Sequence, residues 1–453
     1  MTWKTNDSRS LVLTLSTLLV FSCVQVEPQP DFEKARSLVE QSTGHDSVFD
    51  PYDEPLSESE LQSILADGLS LDEALRVALL NNRELQAEFQ EIGIAHADWV
   101  QAQLLTNPSV DVLLRFPSNG GRGVLEATVG AELLDLWRIP VRTEAAKKSL
   151  EATVLRIARS AGVRLAQTRN SFYAVVAAEE LHQLELENAE LATRSFEAVQ
   201  ALHKAGASDA LDVSLAHGPL LAAQLAVSTS RMEAANSKRE LAKLLSLEQS
   251  VDGLNLIDSL PAPVTTEFDS EALVQRALES RLDLRAIANA VEALEIRVEL
   301  ERREAWGDAS VGISGERPSG PEDNLIGPSL SLTLPIFDQN QAQVAKASFR
   351  LEQMVKLHEA AQIAVAQDVR ASADRVNSAS INLELYNQGL LPQSQLALDL
   401  AQESFEAGHI ILLELIAAQR QSLDARKSLV TLKLEAATSA SDLERVVGAP
   451  LPK

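Results

Sequence analysis

The chain has 453 residues, more than one ordinary domain, yet only 4% of them are aromatic and only 19 are glycine, which is little for a large conventional core. Its formal net charge is −25, and this sign disfavours nucleic acid as a partner. Alanine, leucine, glutamate, glutamine and arginine dominate the middle of the sequence, a composition typical of long helices and coiled coils.

The N-terminus indicates secretion. Two basic residues precede a largely apolar run over 11–21, which is too short to span a bilayer as a helix, since that takes ~20 residues. We therefore predict a signal peptide over 1–22. Residues 20–23, VFSC, resemble a bacterial lipoprotein cleavage box in which Cys23, the only cysteine of the chain, becomes the lipidated first residue. Val24, where Asp is absent, resembles default sorting to the outer membrane. An ordinary signal peptide, with Cys23 an incidental thiol, is the alternative.

Residues 23–69 form an N-terminal leader. Pro, Asp, Glu and Ser are frequent in it and no periodicity is sustained, which predicts a mobile or surface-draped segment. Regular structure begins at Ser70, which can cap a helix, and Glu73 completes a capping box three residues later.

From residue 70 the sequence contains two copies of one pattern. Three landmarks recur in the same order, at offsets of 199, 200 and 202 residues: Ala78-Leu79 with Ala277-Leu278, 134–137 with 334–337, and Ala205-Gly206 with Ala407-Gly408. We predict repeat 1 over 70–247, a Gly- and Pro-containing linker over 248–267, repeat 2 over 268–448 and a tail over 449–453.

Each repeat is predicted to contain a helix, two strands, a long helix and a return helix. In repeat 1 these are 71–105, 109–116, 123–133, 140–205 and 209–247. In repeat 2 they are 270–306, 308–314, 328–334, 340–407 and 412–447. The first strand alternates apolar and polar residues, and the first long helix carries coiled-coil spacing at Leu150, Val154, Ile157 and Ala161.

The lengths of these elements limit the architecture. At ~1.5 Å per residue the first long helix would be a rod of roughly 100 Å, and the two shorter helices of its repeat together match it, which predicts a bundle. Four strands suit a membrane barrel but leave open edges that lipid does not tolerate. Two protomers would give a filled barrel of eight strands, whereas three would give twelve and leave a lumen. A conduit favours three.

Two sequence stretches carry a resemblance to a known family. They are LPQSQLALDLAQESFEAGHIILLELIAAQRQSLDARKSLV from residue 391 and LDEALRVALLNN from residue 71. Over roughly 70–448 the chain is similar to the TolC family of outer-membrane efflux proteins, the outer membrane factors of tripartite efflux and type I export systems. The resemblance implies an α+β membrane protein, with a long α-helical coiled-coil barrel and four β-strands per protomer in a trimeric twelve-stranded outer-membrane β-barrel.

The same resemblance implies a passive exit duct that catalyses nothing and needs no cofactor or metal. Its expected partners are two further copies of itself, a periplasmic adaptor, outer-membrane lipid, and an inner-membrane pump of the resistance-nodulation-division or ABC type. It would lie in the outer membrane, lipid-anchored at Cys23, and extend into the periplasm. Drugs, metal ions, metabolites and polypeptides all remain open as substrates. The seven histidines show no i, i+3 or i, i+4 pairs that would bind a metal, and no nucleotide-binding Gly loop is present.

The helix-to-helix turns are the candidate functional sites. The resemblance implies that Gly206 and Leu211 in repeat 1, with Gly408 and Leu413 in repeat 2, contact the adaptor. It also places Asp212 and Glu414 at the periplasmic aperture, where threefold symmetry would make rings of carboxylates that select cations. Simple glycine caps and solvated helix faces are the alternatives. Since only repeat 2 has a proline, Pro392, at the position where repeat 1 has Glu190, we expect the two hairpins to meet the adaptor unequally.

Two other protein classes stay open at this stage. One is the periplasmic adaptor itself, also a lipoprotein with a helical hairpin, which should show one hairpin flanked by lipoyl-like and small β-barrel halves. The other is a structural coiled-coil lipoprotein without a pore. The two predicted hairpins and four predicted strands favour the duct.

Overall fold

The computed structural model describes residues 25–53, 56–118, 120, 122–248, 253–263, 268–318 and 324–451. The predicted signal peptide and Cys23 lie outside the described residues. The chain forms two compact units, each with parts of both repeats. The first, here called the sheet unit, includes 91–154 and 286–356, and the second, the helix unit, includes 34–90, 155–285 and 357–453.

The order of elements is the same in the two repeats. Repeat 1 contains α3 (Leu71–Asn81), α4 (Arg83–Gln103), β1 (Ser109–Arg115), β2 (Val124–Glu132), α5 (Asp135–Lys204) and α6 (Ala210–Leu244). Repeat 2 contains α7 (Ser270–Ser280), α8 (Leu282–Glu304), β3 (Ala309–Arg317), β4 (Leu325–Leu332), α9 (Gln341–Leu385), a π-helical turn (Tyr386–Leu390), α10 (Leu391–Glu406) and α11 (Leu412–Val447). The predicted sequence of helix, two strands, long helix and return helix is therefore observed twice.

The leader differs from the prediction. It contains α1 (Gln29–Thr43) and α2 (Glu58–Ala66), and Ala35 and Val39 on α1 are fully buried. Arg36 pairs with Asp50 at 2.6 Å between Nη1 and Oδ2. Of the two alternatives predicted for the leader, a mobile or a surface-draped segment, its described part agrees with the second, although it contains helices that were not predicted. One short apolar stripe, spaced four residues apart, suffices to anchor α1 although the surrounding sequence is polar.

The first helix of each repeat is broken where a single helix was predicted. Asn82 is extended (φ −63°, ψ 113°) between α3 and α4, and its Oδ1 accepts the Leu85 backbone N–H at 2.8 Å. Its Nδ2 donates to the Leu244 carbonyl at 2.7 Å. In repeat 2, Arg281 separates α7 from α8 and donates from Nη1 to the Val446 carbonyl at 3.0 Å. Each break thus places a side chain on the last carbonyls of its own return helix, which have no partner within that helix.

The two long helices also differ from each other. α5 is a continuous helix of 70 residues and begins earlier than predicted, at Asp135, whose Oδ2 accepts the Thr106 N–H at 2.9 Å. α9 instead gives way to the π-helical turn directly before Pro392. Proline has no N–H and clashes with the carbonyl four residues earlier, and one wider turn accommodates it.

The four strands form one antiparallel sheet in the order β1-β2-β3-β4. Its register aligns apolar residues on one face: Val112 pairs with Ala127, Val129 with Ile313, and Val311 with Leu330. All of these side chains except the half-buried Ala127 are exposed, Val112 to 65% and Ile313 and Leu330 to 64%. The opposite face is polar, and there Thr128 donates to Ser314 at 3.0 Å. The sheet therefore has an exposed apolar face, whereas a soluble protein usually buries the apolar face of a sheet in its core.

Two glycines meet where the repeats join within the sheet. Gly130 on β2 is paired with Gly312 on β3, and a Cβ on Gly312 would overlap the Val129 carbonyl oxygen. The strands approach so closely at this point that only glycine fits at position 312.

The core of the helix unit lies between the short helices and the long ones. One cluster includes Ala74, Val77, Phe172, Val176 and Leu241. Its counterpart in repeat 2 includes Leu273, Val369, Val376, Leu443 and Val447. The corresponding helices of each repeat thus bury equivalent faces.

Candidate interaction site at the two helix-to-helix turns

The turn between α5 and α6 is a glycine-terminated helix end. Gly206 has φ +77°, its N–H donates to the His203 carbonyl at 3.0 Å, and the Ala207 N–H reaches back to Leu202 at 2.8 Å. These two bonds form a Schellman motif, which satisfies carbonyls that the helix end leaves free. His203 adds a hydrogen bond from Nδ1 to the Ser208 carbonyl at 2.9 Å. The first turn is therefore held by side-chain as well as backbone contacts.

The start of α6 is capped by a pair of carboxylates. The Asp209 side chain accepts the Asp212 N–H at 2.9 Å, and the Asp212 side chain accepts the Asp209 N–H at 3.3 Å. This capping box satisfies two free donors and places negative charge at the positive end of the helix. The predicted aperture residue Asp212 is thus engaged within its own turn.

The turn between α10 and α11 has the same backbone but no side-chain cap. Gly408 has φ +74°, its N–H donates to Phe405 at 2.9 Å, and the His409 N–H donates to Ser404 at 2.8 Å. The residue at the N-cap of α11 is Ile411, which makes no side-chain cap hydrogen bond and is 63% exposed. The two turns have the same backbone conformation, but only the first also has side-chain hydrogen bonds, both at the end of one helix and at the start of the next.

The two turns pack together. Val199 on α5, Ala216 on α6 and Leu412 on α11 form one buried cluster, against which Phe405 on α10 and Ile416 on α11 pack. In addition, the ring of His217 stacks on Phe196 with 5.0 Å between centroids. The predicted tips of both hairpins therefore lie together, at one end of a bundle formed by α5, α6, α10 and α11.

The predicted contact residues point away from this cluster. Leu211 is 62% exposed and Leu413 is 54% exposed, each in the first turn of its return helix. Leu202, Leu215 and Ile411 add exposed apolar surface nearby. Exposed apolar side chains grouped around two turns mark a surface suited to a protein partner.

The carboxylate of Glu414 is exposed and, among the described residues, makes no side-chain hydrogen bond or ion pair. Asp212, its counterpart in repeat 1, is half-buried and occupied by the cap. Sequence reasoning missed this difference. The sequence does contain a signal for it. Repeat 1 has an acidic residue at both 209 and 212, which can form a capping box, whereas repeat 2 has Ile411 and Glu414 at the equivalent positions.

A family model described as outer membrane efflux protein matches residues 74–246 and 273–449. The chain is a member of the outer membrane efflux protein family.

Curated relatives of this efflux-family chain match most of its length. It is 23% identical over 386 residues to the cobalt-zinc-cadmium resistance protein CzcC of Cupriavidus metallidurans, covering 84% of this chain and 91% of CzcC. It is also 23% identical over 414 residues to the pyoverdine export outer membrane protein OpmQ of Pseudomonas aeruginosa, covering 83% of this chain and 85% of OpmQ.

A solved structure agrees with the fold. The CmeC outer membrane channel of Campylobacter jejuni superimposes with a TM-score of 0.71 at 16% identity, covering 88% of this chain and 89% of CmeC. At this identity the likeness shows the fold alone. Together with the family match it places the chain among transport proteins of the outer membrane efflux family.

Proposed function

We propose that this chain is a passive exit duct that assembles as a homotrimer in the outer membrane, continues into the periplasm, and docks to a periplasmic adaptor and an inner-membrane pump. The exposed apolar face of the four-stranded sheet is the single observation that carries this proposal most strongly. Family membership supports it and disfavours the adaptor alternative. No catalytic step is involved.

The sheet supports both the membrane location and the trimer. Its apolar face gains free energy in lipid, at about 25 cal/mol per Å² of apolar surface removed from water. Its outer strands β1 and β4 each have a free edge in the described sheet, and lipid does not tolerate such edges. Three copies of four strands would close into twelve, with the polar face around a lumen.

The helices carry a second surface for neighbouring copies. α6 has exposed leucines at 211, 215, 221 and 225, whose spacing puts them on one stripe of the helix. In a long helix such a stripe is the seam of a coiled coil. We infer that it packs against another protomer in an α-helical barrel.

The turns are the proposed docking end. Gly206 and Gly408 shape the two tips, and Leu211 and Leu413 supply exposed apolar contacts for the adaptor. Asp212 and Glu414 would line the periplasmic aperture, with Glu414 the stronger contributor because its carboxylate is free of the cap. The unequal capping supports the proposal that the adaptor meets the two hairpins unequally.

The remaining parts of the proposal concern anchoring, chain organisation and cargo. Cys23 would carry the lipid anchor after removal of 1–22, with 23–69 as leader and 70–247 and 268–448 as repeats joined by 248–267. Metabolic labelling with palmitate should mark the wild-type protein and not the Cys23→Ser variant. The named relatives point to different cargoes, cobalt, zinc and cadmium in one and pyoverdine in the other. This difference supports a generic duct whose specificity lies in the pump, of either type.

The test is conductance of the purified full-length protein in planar lipid bilayers, together with a pair of neighbouring variants on β3. Stepwise ion conductance is expected from the trimer. Ile313→Lys places a charge on the apolar face, which costs about 2–4 kcal/mol at the bilayer midplane, and should abolish insertion. Ser314→Lys, on the polar face, should insert and change ion selectivity. A trimer without channel activity, or Ile313→Lys inserting as well as Ser314→Lys, would contradict the proposal.

A further inference from the structure

A cavity of about 110 Å³ lies in the helix unit, away from the turns. α1, α5 and α11 line it, through Thr43 on α1, Arg159, Gly162 and Arg169 on α5, and Ser441 and Arg445 on α11. A single water needs roughly 10–15 Å³ of such space. The cavity therefore has room for a tetrahedral oxyanion.

Cations outnumber carboxylates around this cavity. Arg169 pairs with Glu444, Arg445 pairs with Asp442 at 3.1 Å, and Arg281 pairs with Asp283 at 2.5 Å. The fourth arginine, Arg159, has no carboxylate of its own and shares Asp283 with Arg281, since its Nε lies 3.8 Å from Oδ2 of Asp283. The C-terminus of α11 adds about half a negative charge. Roughly half a positive charge therefore remains without a counter-charge from the described residues.

The guanidinium of Arg159 is largely without acceptors. Its side chain is 12% exposed, and its one protein hydrogen bond runs from Nη2 to the Arg445 carbonyl at 2.7 Å. A guanidinium has five N–H donors, so four lack an acceptor in the described chain. Burial, followed by the neighbouring charge of Arg281, lowers the pKa of Arg159 to about 10. An anion in the cavity would relieve both effects.

Ser441 supplies an independent observation. It is 3% exposed, it lines the same cavity, and its buried Oγ has no hydrogen-bond partner among the described residues. Buried hydroxyls almost always have a partner, and a ligand in the cavity that Ser441 lines would be adjacent to this one.

We propose that this cavity binds one phosphate or sulfate group, held by the guanidinium of Arg159 and the hydroxyl of Ser441. The group would bridge α5 to the end of α11 and so fasten the return helix of repeat 2 to the long helix of repeat 1. None of the lining residues belongs to the two helix-to-helix turns, and this proposal does not depend on the proposed function. The phosphate could be a free ion or the headgroup of a lipid.

Isothermal titration of the detergent-solubilised full-length protein, at constant ionic strength in chloride, tests the site. The probes are inorganic phosphate and a short-chain phosphatidic acid. One phosphate per chain is expected to bind. Arg159→Gln should weaken binding at least about tenfold, because it removes a charge-assisted hydrogen bond.

Ser441→Ala should weaken binding about two- to tenfold, the worth of one hydrogen bond. This variant removes no side-chain hydrogen bond found among the described residues, so its fold is expected to remain intact. The matched control is Arg164→Gln, because Arg164 lies on the same helix, pairs with Glu84 and Glu88, and is absent from the cavity. Its affinity should equal that of the wild type.

Binding of the lipid alone would support the same chemistry and assign its source to a headgroup. The proposal would be overturned if neither probe showed saturable binding, or if Ser441→Ala bound the probe with the same affinity as the wild type.

Discussion

The capping box at the start of α6 allows a quantitative test of the difference between the two turns. In Asp209→Ala the Asp212 N–H loses the acceptor that lies 2.9 Å away, while the reciprocal bond from the Asp209 N–H to Asp212 can persist. Loss of such an N-cap typically costs ~1 kcal/mol, within a range of about 0.5–2. Since 1.4 kcal/mol corresponds to a factor of ten, the opening equilibrium of the first turns of α6 should rise about fivefold.

Hydrogen–deuterium exchange resolved by mass spectrometry is the assay, with peptides covering 208–216 and 410–418. In the wild type the first peptide should be better protected, because Ile411 provides no side-chain cap for α11. Asp209→Ala should speed exchange of the first peptide about fivefold and leave the second unchanged. Asp209→Asn, which keeps a good capping acceptor, should change exchange by less than twofold. Equal exchange in Asp209→Ala and the wild type would refute the assigned role of the cap.

Four further variants test other features. Asn82→Ala removes both an N-cap and a hydrogen bond to the Leu244 carbonyl, and should lower the free energy of unfolding by about 2 kcal/mol in thermal denaturation followed by circular dichroism. Gly206→Ala should cost about 1–2 kcal/mol, since φ is +77° and nothing blocks a Cβ, whereas Gly93→Ala within α4 should stabilise by about 0.5–1 kcal/mol. Glu414→Gln should reduce the preference for cations in reversal-potential measurements, and an unchanged preference would exclude Glu414 from the aperture.

The order of elements was predictable because each element has a strong local signal. Period-2 alternation identified the strands, coiled-coil spacing identified the long helices, and the Gly206 and Gly408 motifs identified the turns. The predicted and observed strand ends differ by three residues or fewer. For example, the fourth strand was predicted to begin at Pro328, and β4 begins at Leu325. Periodicity in the sequence predicts an element wherever its two faces differ in polarity along its whole length.

The features that were missed depend on contacts distant in sequence. Asn82 breaks a helix because its side chain is needed at Leu244, 162 residues away. The sequence around α1 is polar, and its helix is held by a few residues such as Val39. The π-helical turn before Pro392 is a local effect: it accommodates the proline while the chain continues from α9 into α10. The break at Asn82 and the π-helical turn have no periodic signature, because each depends on a single residue.

In the candidate site, the sequence predicted the positions of the turns and the exposure of Leu211 and Leu413. It did not predict that Asp212 would be occupied by the cap while Glu414 stays free. That difference follows from one N-cap residue, Asp209 against Ile411. The roles of these residues at an adaptor and an aperture remain predictions.

The breaks at Asn82 and Arg281 have a consequence for the origin of the chain. At each break, side chains from the first helix of a repeat donate hydrogen bonds to carbonyls at the end of the last helix of the same repeat. In repeat 1 the donors are the amide groups of Asn81 and Asn82. In repeat 2 they are the hydroxyl of Ser280 and the guanidinium of Arg281. The beginning and the end of a repeat are thereby neighbours. A gene encoding a single repeat would already specify this closure, and rejoining the repeats in the opposite order should preserve these contacts.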